Sequence, residues 1–381
     1  MSNPYPNGVN KAVGSSLGLL TQTGSDLTAF QRSHPTGYMQ NYSVDLQFEV
    51  TKSTIVEVGY SGNGGRKLNY GATPNANQLP TRYLSLGASL NEQVANPFFG
   101  VFPTGVLSGA TVPRHRLLRP YPQFGTVEMS GDTPGATSNF NALYLKFNKR
   151  FSNGLATMTS YQFSKAIDNA SENQGWLISD TLRDTYNAKL DRSISGHDVP
   201  QSFVSALVYE VPVGKGRKYG ANLGRAAQAL VGGWECSAII RFSSGLPLRL
   251  VAPNGLGAYG FNILNAQVGN LQDLKVSNPV PERWFNTGAV SSPAPFTLGN
   301  APRFQGVIRA DGTHHGDVNI AKNFQITEGI RAQLRGEFYD ISNTPQFSPP
   351  GVTVGAADFG QVNGTRFNDR RNVQVGLKIL F

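Results

Sequence analysis

A nearly regular alternation of apolar and polar residues runs along the chain from Tyr38 to Val50. Side chains on one face of an extended strand recur at every second residue, so this alternation predicts a β-strand with two chemically different faces. The polar face carries residues such as Asp45 and Glu49. The apolar face carries Tyr42, Val44, Leu46, Phe48 and Val50. Such a strand requires an apolar environment on one side and a polar one on the other.

The same pattern recurs along the rest of the chain. Leu143, Leu145 and Phe147 alternate with polar residues, and Asn153-Gly154, a strong hairpin sequence, leads into a returning strand. Five later strands are predicted near 197–212, 232–245, 315–324, 329–342 and 371–381. Strands of globular sheets are most often about five or six residues long, whereas a tilted strand needs about nine to eleven residues to cross a bilayer. The strand lengths favour a membrane.

The connections between the predicted strands alternate between short and long. Short or intermediate turns are predicted near 51–53, 152–154, 213–231 and 325–328. Long loops rich in Gly, Pro, Asn and Ser are predicted near 62–138, 169–196, 246–314 and 343–370. This alternation is typical of an outer-membrane β-barrel, which has short periplasmic turns and long extracellular loops. The strand-like segment Gln123–Ser130 would break the alternation if it crossed the membrane, so we assign it to the outer loop.

The last predicted strand places Val373, Val375, Leu377, Ile379 and Phe381 on one face. We expect these side chains to face outer-membrane lipid, and the terminal aromatic residue to mark the strand for the barrel assembly machinery. The alternative is an edge strand of a soluble sheet, but five aligned apolar residues on an exposed edge promote aggregation in water. The predicted fold class is therefore an all-β, antiparallel transmembrane barrel of the cell outer membrane.

The composition of the 381-residue chain is compatible with this fold. The mean hydropathy is −0.26, a polar average that a barrel can have because only alternate strand residues face lipid. No stretch approaches about eighteen consecutive apolar residues, so no transmembrane helix is predicted. The formal net charge is +9, but Lys and Arg are scattered without a basic arm or a nucleic-acid-binding motif. We therefore expect no nucleic-acid partner.

No catalytic, cofactor-binding or metal-binding residues are predicted. The His314-His315 pair with Asp317 lies where a long loop joins a strand, without a spaced set of further metal ligands. The His197-Asp198 pair has no Gly-x-Ser-x-Gly nucleophile elbow, and the 214–216 turn lacks the spacing of a phosphate-binding loop. The single cysteine, Cys236, permits no intrachain disulfide, and its apolar neighbours at alternate positions predict a lipid-facing residue.

The orientation of the last strand bears on the strand count. If Phe381 ends in the periplasm, the short turns lie there too, and the nine predicted crossings place residues 1–37 outside the cell as an extracellular loop remnant. A closed bacterial barrel normally has an even number of strands. In addition, no secretion signal is predicted between Met1 and Leu20. We therefore expect residues 38–381 to form about nine or ten strands of a larger barrel whose upstream strands are missing.

Five segments and the last strand together carry a resemblance to a known family. The segments are NALYLKFNKRF (141–151), YQFSKAID (161–168), SSGLP (243–247), WFN (284–286) and RAQLRGEFYDISNTPQF (331–347). Their order and spacing resemble the carboxy-terminal barrel region of TonB-dependent receptors, specifically the Oar-like, Acidobacteria-type group.

The resemblance implies a plugged barrel of about 22 strands. Members of the family carry an amino-terminal plug, often preceded in this group by a carboxypeptidase-regulatory-like domain, and they contact the TonB protein through the plug region. None of these parts is recognised in the sequence. The resemblance therefore implies roughly the last two-fifths of such a barrel.

We predict a non-enzymatic protein without cofactors that serves substrate uptake or export across the outer membrane. The main alternative is a structural or adhesive outer-membrane barrel whose extracellular loops bind a ligand, and a third hypothesis is a soluble all-β binding module. Loops vary freely on a fixed scaffold, so the sequence names no ligand. Specificity is expected in loops 62–138 and 246–314 and in the plug.

Overall fold

One antiparallel sheet of nine long strands, in which each strand pairs with its neighbours along the chain, dominates the computed structural model. The structure describes residues 14–70, 74–102, 105–130, 133–170, 182–253, 263–366 and 370–381. The strands are β1 (Tyr38–Thr51), β2 (Thr54–Asn69), β3 (Pro134–Ser152), β4 (Leu155–Asp168), β5 (Gln201–Glu210), β6 (Trp234–Ser243), β7 (Thr313–Gln325), β8 (Arg331–Tyr339) and β9 (Asn372–Leu380). Within the described ranges, no helix is both long and apolar enough to span a membrane.

The connections contain short elements of their own. Two short helices are α1 (Arg114–Leu117) and α2 (Arg225–Val231). The 3-10 segments are Gly18–Leu20, Thr81–Asn91, Ala188–Asp191, Leu271–Leu274 and Thr287–Ala289. The short strands are Leu27–Phe30, Gln93–Ala95, Thr111–Pro113, Val127–Ser130, Ser193–Ile194, Pro247–Leu248, Val251–Pro253, Ile263–Asn265, Gln267–Val268, Val290–Ser291 and Gln305–Arg309.

The predicted order of long strands is confirmed. Each predicted strand is present, and consecutive strands pair with no crossover. The assignment of Gln123–Ser130 to a loop is also confirmed, because Val127–Ser130 pairs in parallel with Leu27–Phe30 outside the nine-strand sheet. The alternation of short and long connections therefore identified the crossings correctly.

The predicted inner limits of the first long loop were wrong. β2 has 16 residues and β3 has 19, so both strands continue into the 62–138 segment that was predicted as loop. The extension of β2 includes the SGNGG sequence at 61–65, which has no apolar alternation. Backbone hydrogen bonds continue the ladder there, with a register shift between Gly65 and Leu68. Side-chain pattern could not predict a ladder that depends on the backbone alone.

The pairing register aligns apolar side chains in rows on one face of the sheet, which we call the outward face. Val58 lies between Leu46 and Leu145 in neighbouring strands, and Leu334 lies opposite Leu377 near the other edge. Exposed apolar residues of this face are Tyr42, Val44, Leu46, Phe48, Leu143, Leu145, Phe147, Ile320, Leu334, Val373, Val375, Leu377 and Ile379. Exposed apolar rows across successive strands are unfavourable in water and require an apolar partner.

The opposite, inward face is concave. Six successive strands, β3 to β8, line one space of about 640 Å³. Inward residues that line it include Asn148, Met158, Ala206, Ile239, Asp317 and Tyr339. A sheet whose third and eighth strands border the same space is strongly curved, as a barrel wall is.

The sheet is open along both edges in the described part of the chain. β1 pairs only with β2, and β9 pairs only with β8. Each edge therefore presents a row of backbone donors and acceptors without a neighbouring strand.

The long connections fold around apolar cores of their own. The largest core comes from residues 246–310 and contains the fully buried Leu250, Leu274 and Phe285. A second core joins two loops, because Leu79 and Leu84 pack against Phe296 and Leu298. A third contains Phe102, Leu107 and Val112. We call these packed connections, the described parts of 70–133, 169–200, 244–312 and 340–371, the cap.

We expect Phe285→Ala to loosen the cap without unfolding the sheet. Phe285 is 0% exposed and packs edge to face on Phe359 with ring centroids 5.4 Å apart. Removing a buried aromatic ring costs about 3–5 kcal/mol. Limited proteolysis should cut within 246–310 faster than in the parent chain. The control Phe99→Ala removes a ring that is 60% exposed and should leave proteolysis unchanged; equal effects of the two variants would contradict the assigned core.

Candidate functional site

The candidate site combines the cap with the concave inward face. In an antiparallel meander every second connection lies at the same end of the sheet. The four long connections alternate with the short turns, so they lie together at one end. The short turns lie at the opposite end, where Gly154 approaches Glu210 and the amide of Asn323 donates to the carbonyl of Gly233 at 2.8 Å. A molecule entering the concave face from the loop end must pass the cap.

A buried arginine ties the cap to the sheet. Arg303 is 1% exposed and forms an ion pair with Asp168 at the loop end of β4. Its Nε donates to the backbone carbonyl of Asp191 at 3.0 Å. The guanidinium also lies over the ring of Phe304, 5.1 Å from its centroid. One side chain therefore links two long connections and a strand.

A second arginine reinforces the same junction. Arg183 Nε lies 3.5 Å from Asp191 Oδ1, and Nη1 of Arg183 donates to the carbonyl of Gly299 at 3.1 Å. Asp191 is 1% exposed. Ionised groups buried to this degree are stable only with partners of opposite charge. The positions of these loops are therefore set by charge pairing as well as by apolar packing.

A third junction holds the loop before β7 against the loop before β5. Arg309 Nη2 lies 2.6 Å from Asp198 Oδ2, and Asp198 Oδ1 accepts the backbone N–H of Ala166 at 2.7 Å. The backbone carbonyl of Arg309 accepts the indole N–H of Trp284 at 2.7 Å. The cap is thus anchored to the ends of the long strands by paired groups.

One part of the cap concentrates positive charge around α1. Burial and the neighbouring Arg119 and Arg116 lower the pKa of His115 to about 4. Burial is the main cause that lowers the pKa of Arg119 to about 10, and the positive charge of Arg116 lowers it further. A hydrogen bond from the Thr126 backbone is the main cause of the lowered pKa of Asp26, and both arginines add to it. Asp26 thus partly balances a cluster that favours anionic groups.

The inward face carries paired charges beside an apolar strip. Lys146 Nζ lies 2.8 Å from Glu57 Oε1, and on the other side His315 Nε2 lies 2.9 Å from Asp317 Oδ1. Between them β4 to β6 present apolar side chains to the same space, with Met158 67% and Ile239 41% exposed. The inward face therefore offers polar, charged and apolar contacts to whatever fills it.

Comparison with known proteins agrees with this architecture. A family model described as an outer membrane beta barrel domain matches residues 1–374. The chain belongs to this family. It is accordingly a protein of the outer membrane.

Two solved structures are similar to this barrel domain. The outer membrane transporter YddB from Escherichia coli has 7% sequence identity, with 94% of this chain and 34% of that chain covered and a TM-score of 0.43. The ferric-catecholate import receptor Fiu from E. coli K12, in its closed form, has 7% identity, with 93% and 30% covered and a TM-score of 0.39. The chain thus spans about one third of the length of either structure. No curated protein matches the sequence.

The structure places every residue that was predicted to face lipid on the exposed surface. The residues of β1 and β3, including Tyr42, Val50 and Leu143, are between 37% and 62% exposed. In β9, Val375 is 73% exposed and Leu377 67%. Phe381 follows the last strand residue and is fully exposed. Their contact with lipid, and recognition of the last strand by the assembly machinery, stay predictions.

The structure separates the residues considered as metal or catalytic candidates. His314 packs against Phe242 on the outward face, with ring centroids 5.9 Å apart, whereas His315 pairs with Asp317 on the inward face. Asp198 is occupied by Arg309. Among the described residues, no group of three His, Cys, Asp or Glu side chains is placed to hold a metal ion.

The buried arginine–aspartate junctions are not evident from the amino-acid sequence. Arg303 and Arg309 lie 135 and 111 residues from their carboxylate partners, so no local spacing links them. Arg183 lies eight residues from Asp191, but no periodic pattern marks that pair. The loops were expected to be variable connections, and nothing in their composition indicates that these charges are buried.

We expect Arg303→Met to destabilise the cap by about 3–5 kcal/mol, because it leaves the buried Asp168 carboxylate without its cation. Urea unfolding would measure the loss, followed by the fluorescence of Trp284 in a background that carries Trp176→Phe and Trp234→Phe. Arg283→Met is the matched control, since Arg283 lies in the same connection but is exposed, and it should change stability by no more than about 0.5 kcal/mol. Equal losses in the two variants would contradict a structural role for the junction.

We expect the cap to lose stability in acid through His115. Its pKa falls from 6.5 to about 4 on folding, so the folded state favours the neutral ring. Above pH 6.5 the ring is neutral in both states and burying it does not lower the free energy of unfolding. As the pH falls from 6.5 toward 4, the unfolded state takes up a proton that the folded state does not, and the free energy of unfolding decreases. Thermal unfolding across this range should show a weaker pH dependence in His115→Gln than in the parent. His34→Gln, which alters an exposed ring, should keep the parent profile; identical profiles for both variants would contradict the prediction.

Proposed function

We propose that this chain forms the carboxy-terminal part of the barrel of a TonB-dependent outer-membrane transporter of the Oar-like type. The observation that carries the proposal is the curved nine-strand meander, with an apolar outward face, a charged inward face and a folded cap at the loop end. A transport barrel needs these three features: lipid contact outside, a polar lumen and a selective outer entrance. No catalytic role is proposed.

The open sheet edges support a larger barrel. Unpaired backbone groups of β1 and β9 are unfavourable inside lipid, where no water is present to satisfy them. Nine alternating strands leave β1 and β9 running in the same direction. Antiparallel closure therefore requires an odd number of additional strands between them. We propose that these strands, the plug and the contact with TonB through the plug belong to the same transporter.

The ligand would enter through the cap. The positive charges of Arg116 and Arg119 favour anionic groups at one part of this entrance. The inward face then offers charged pairs beside the apolar strip of Met158 and Ile239. These surfaces fit an amphipathic ligand that carries negative charge better than a purely apolar one.

An adhesive function is the second candidate, and the folded cap supports it. Binding surfaces that are ordered before contact lose less conformational entropy on binding. The cap is ordered by apolar cores and buried ion pairs, yet it exposes Phe99, Val101 and Tyr121 by 60%, 50% and 46%. Exposed aromatic side chains on a rigid support suit contact with another macromolecule.

The lipid-facing assignment is tested by two adjacent substitutions in β9. Val375→Arg places a charge on the outward face and should destabilise the membrane-inserted state by about 2–4 kcal/mol near the midplane. Gln374→Arg places the same side chain on the inward face opposite Glu337 and should be tolerated. Heat-modifiable gel mobility of the protein in outer-membrane fractions would report folding. Loss of the folded band in both variants, or in neither, would contradict the assigned faces.

Transport and adhesion are separated by contact with TonB. Formaldehyde cross-linking in the native host, followed by precipitation with an antibody against residues 371–381, should recover TonB with a transporter. If the protein is an adhesin, no cross-linked product with TonB is expected, although the protein still binds to surfaces. Absence of the cross-link in cells that contain the protein and TonB would overturn the transporter proposal without affecting the barrel fold.

A further inference from the structure

Three lysines of the described long strands lie on the outward face, Lys149, Lys165 and Lys322, and only Lys322 is buried. Lys322 lies in the row that contains Ile320 and Phe324, opposite Leu334, which itself lies opposite Leu377. A cationic side chain on the lipid-facing side of a strand is unfavourable unless its charge is covered. Lys322 is nevertheless only 4% exposed. Something on the outside of the sheet therefore covers it.

The cover is the end of helix α2. The Lys322 ammonium group donates to the carbonyl of Leu230 at 3.2 Å and to that of Gly232. Free carbonyl groups and the negative end of the helix dipole both favour a cation at a helix carboxy-terminus. The rings of Trp234 and Phe324 flank the same ammonium group at 5.1 and 5.4 Å. These contacts place α2 on the outward side of the sheet.

The connection that contains α2 is held in a defined shape. The Gln228 side chain accepts the backbone N–H of Lys215 at 2.8 Å and donates to the carbonyl of Gly220 at 2.8 Å. The indole N–H of Trp234 donates to the carbonyl of Leu230 at 2.9 Å. A seven-residue helix is too short to be stable alone, and these bonds fix it against the start of β6.

The outer surface of this connection is apolar next to the sheet. Leu230 is 73% exposed, Tyr219 55%, Val231 42% and Leu223 40%. This patch continues the outward face through Trp234, whose ring is partly exposed. Such exposure is unfavourable in water but is typical of helices that lie in the interface of a membrane.

The same connection is strongly basic. Between Val208 and Gly233 the sequence contains four basic residues and one acidic residue, Glu210. Glu210 pairs with Arg217 at 2.5 Å, which leaves Lys215, Lys218 and Arg225 exposed at the surface. Basic residues beside an exposed apolar patch match the negative headgroups and the acyl chains of one anionic lipid surface.

We propose that residues 211–233 form an interfacial anchor at the short-turn end of the barrel and that this anchor binds anionic phospholipid. Leu223, Leu230 and Val231 enter the boundary between headgroups and acyl chains. Lys215, Lys218 and Arg225 contact the headgroup phosphates. The proposal rests on the proposed contact of the outward face with lipid, and it adds a lipid-specific element that the strand pattern does not contain.

The position of the anchor is tested with a single fluorescent label. In the full chain with Cys236→Ser, a bimane group is attached either at Leu230→Cys in the anchor or at Leu377→Cys on the outward face. The protein is reconstituted into phosphatidylcholine vesicles with spin-labelled acyl chains. We expect both positions to be quenched. Quenching at 377 alone overturns the anchor but leaves the barrel proposal intact, whereas quenching at neither position overturns both.

The lipid preference is tested with spin-labelled headgroup classes. The ratio of quenching at position 230 by phosphatidylglycerol and by phosphatidylcholine measures local enrichment of anionic lipid. Each basic residue near a charged surface contributes up to about fivefold in affinity, so we expect enrichment of at least severalfold that declines with added salt. The triple variant Lys215→Glu, Lys218→Glu, Arg225→Glu should abolish it.

The matched control reverses three exposed charges in the cap. Lys189→Glu, Lys275→Glu and Arg283→Glu give the same change in net charge at the opposite end of the sheet. This variant should keep the enrichment of the parent chain. Equal enrichment in the parent and the anchor variant, or equal loss in both triple variants, would overturn specific binding by the anchor.

Discussion

Backbone hydrogen bonding is the constraint on which the rest of this protein depends. A lipid environment offers no partner for a peptide N–H or C=O group, so the chain must satisfy these groups internally. The continuous ladder from β1 to β9 meets that requirement for every interior strand. Because the ladder fixes the register, it also fixes which residues face outward. The apolar rows of the outward face, the mixed polar and apolar concave face and the two open edges all follow from it.

The cap follows a different physical rule. Its long connections cannot rely on a repeating ladder, so they combine small apolar cores with buried ion pairs. Arg303 and Arg309 each join a cap connection to a residue at a strand end or just before a strand. Buried charges are costly unless paired, so a displaced loop would leave an uncompensated charge. This requirement gives the cap a fixed shape.

Lys322 shows how an exception to the side-chain pattern can be informative. A charge in an apolar row is tolerated because helix carbonyls and two aromatic rings surround it. The helix is held in place by the same contacts, and its exposed surface combines apolar and basic residues. A buried charge in an apolar row therefore identifies α2 as a distinct feature of the outward side of the sheet.

The sequence by itself determined the number, order and two-sided character of the long strands, since a period-two pattern such as that of Tyr42 to Val50 depends only on neighbouring residues. It also excluded Gln123–Ser130 from the sheet. It could not determine the extension of β2 through its glycine-rich segment, because backbone hydrogen bonds hold that extension and the side chains there show no apolar alternation. Nor could it pair Arg303 with Asp168 or place α2 over Lys322. These contacts join residues far apart in the chain, and only the tertiary structure decides which distant charges meet and become buried.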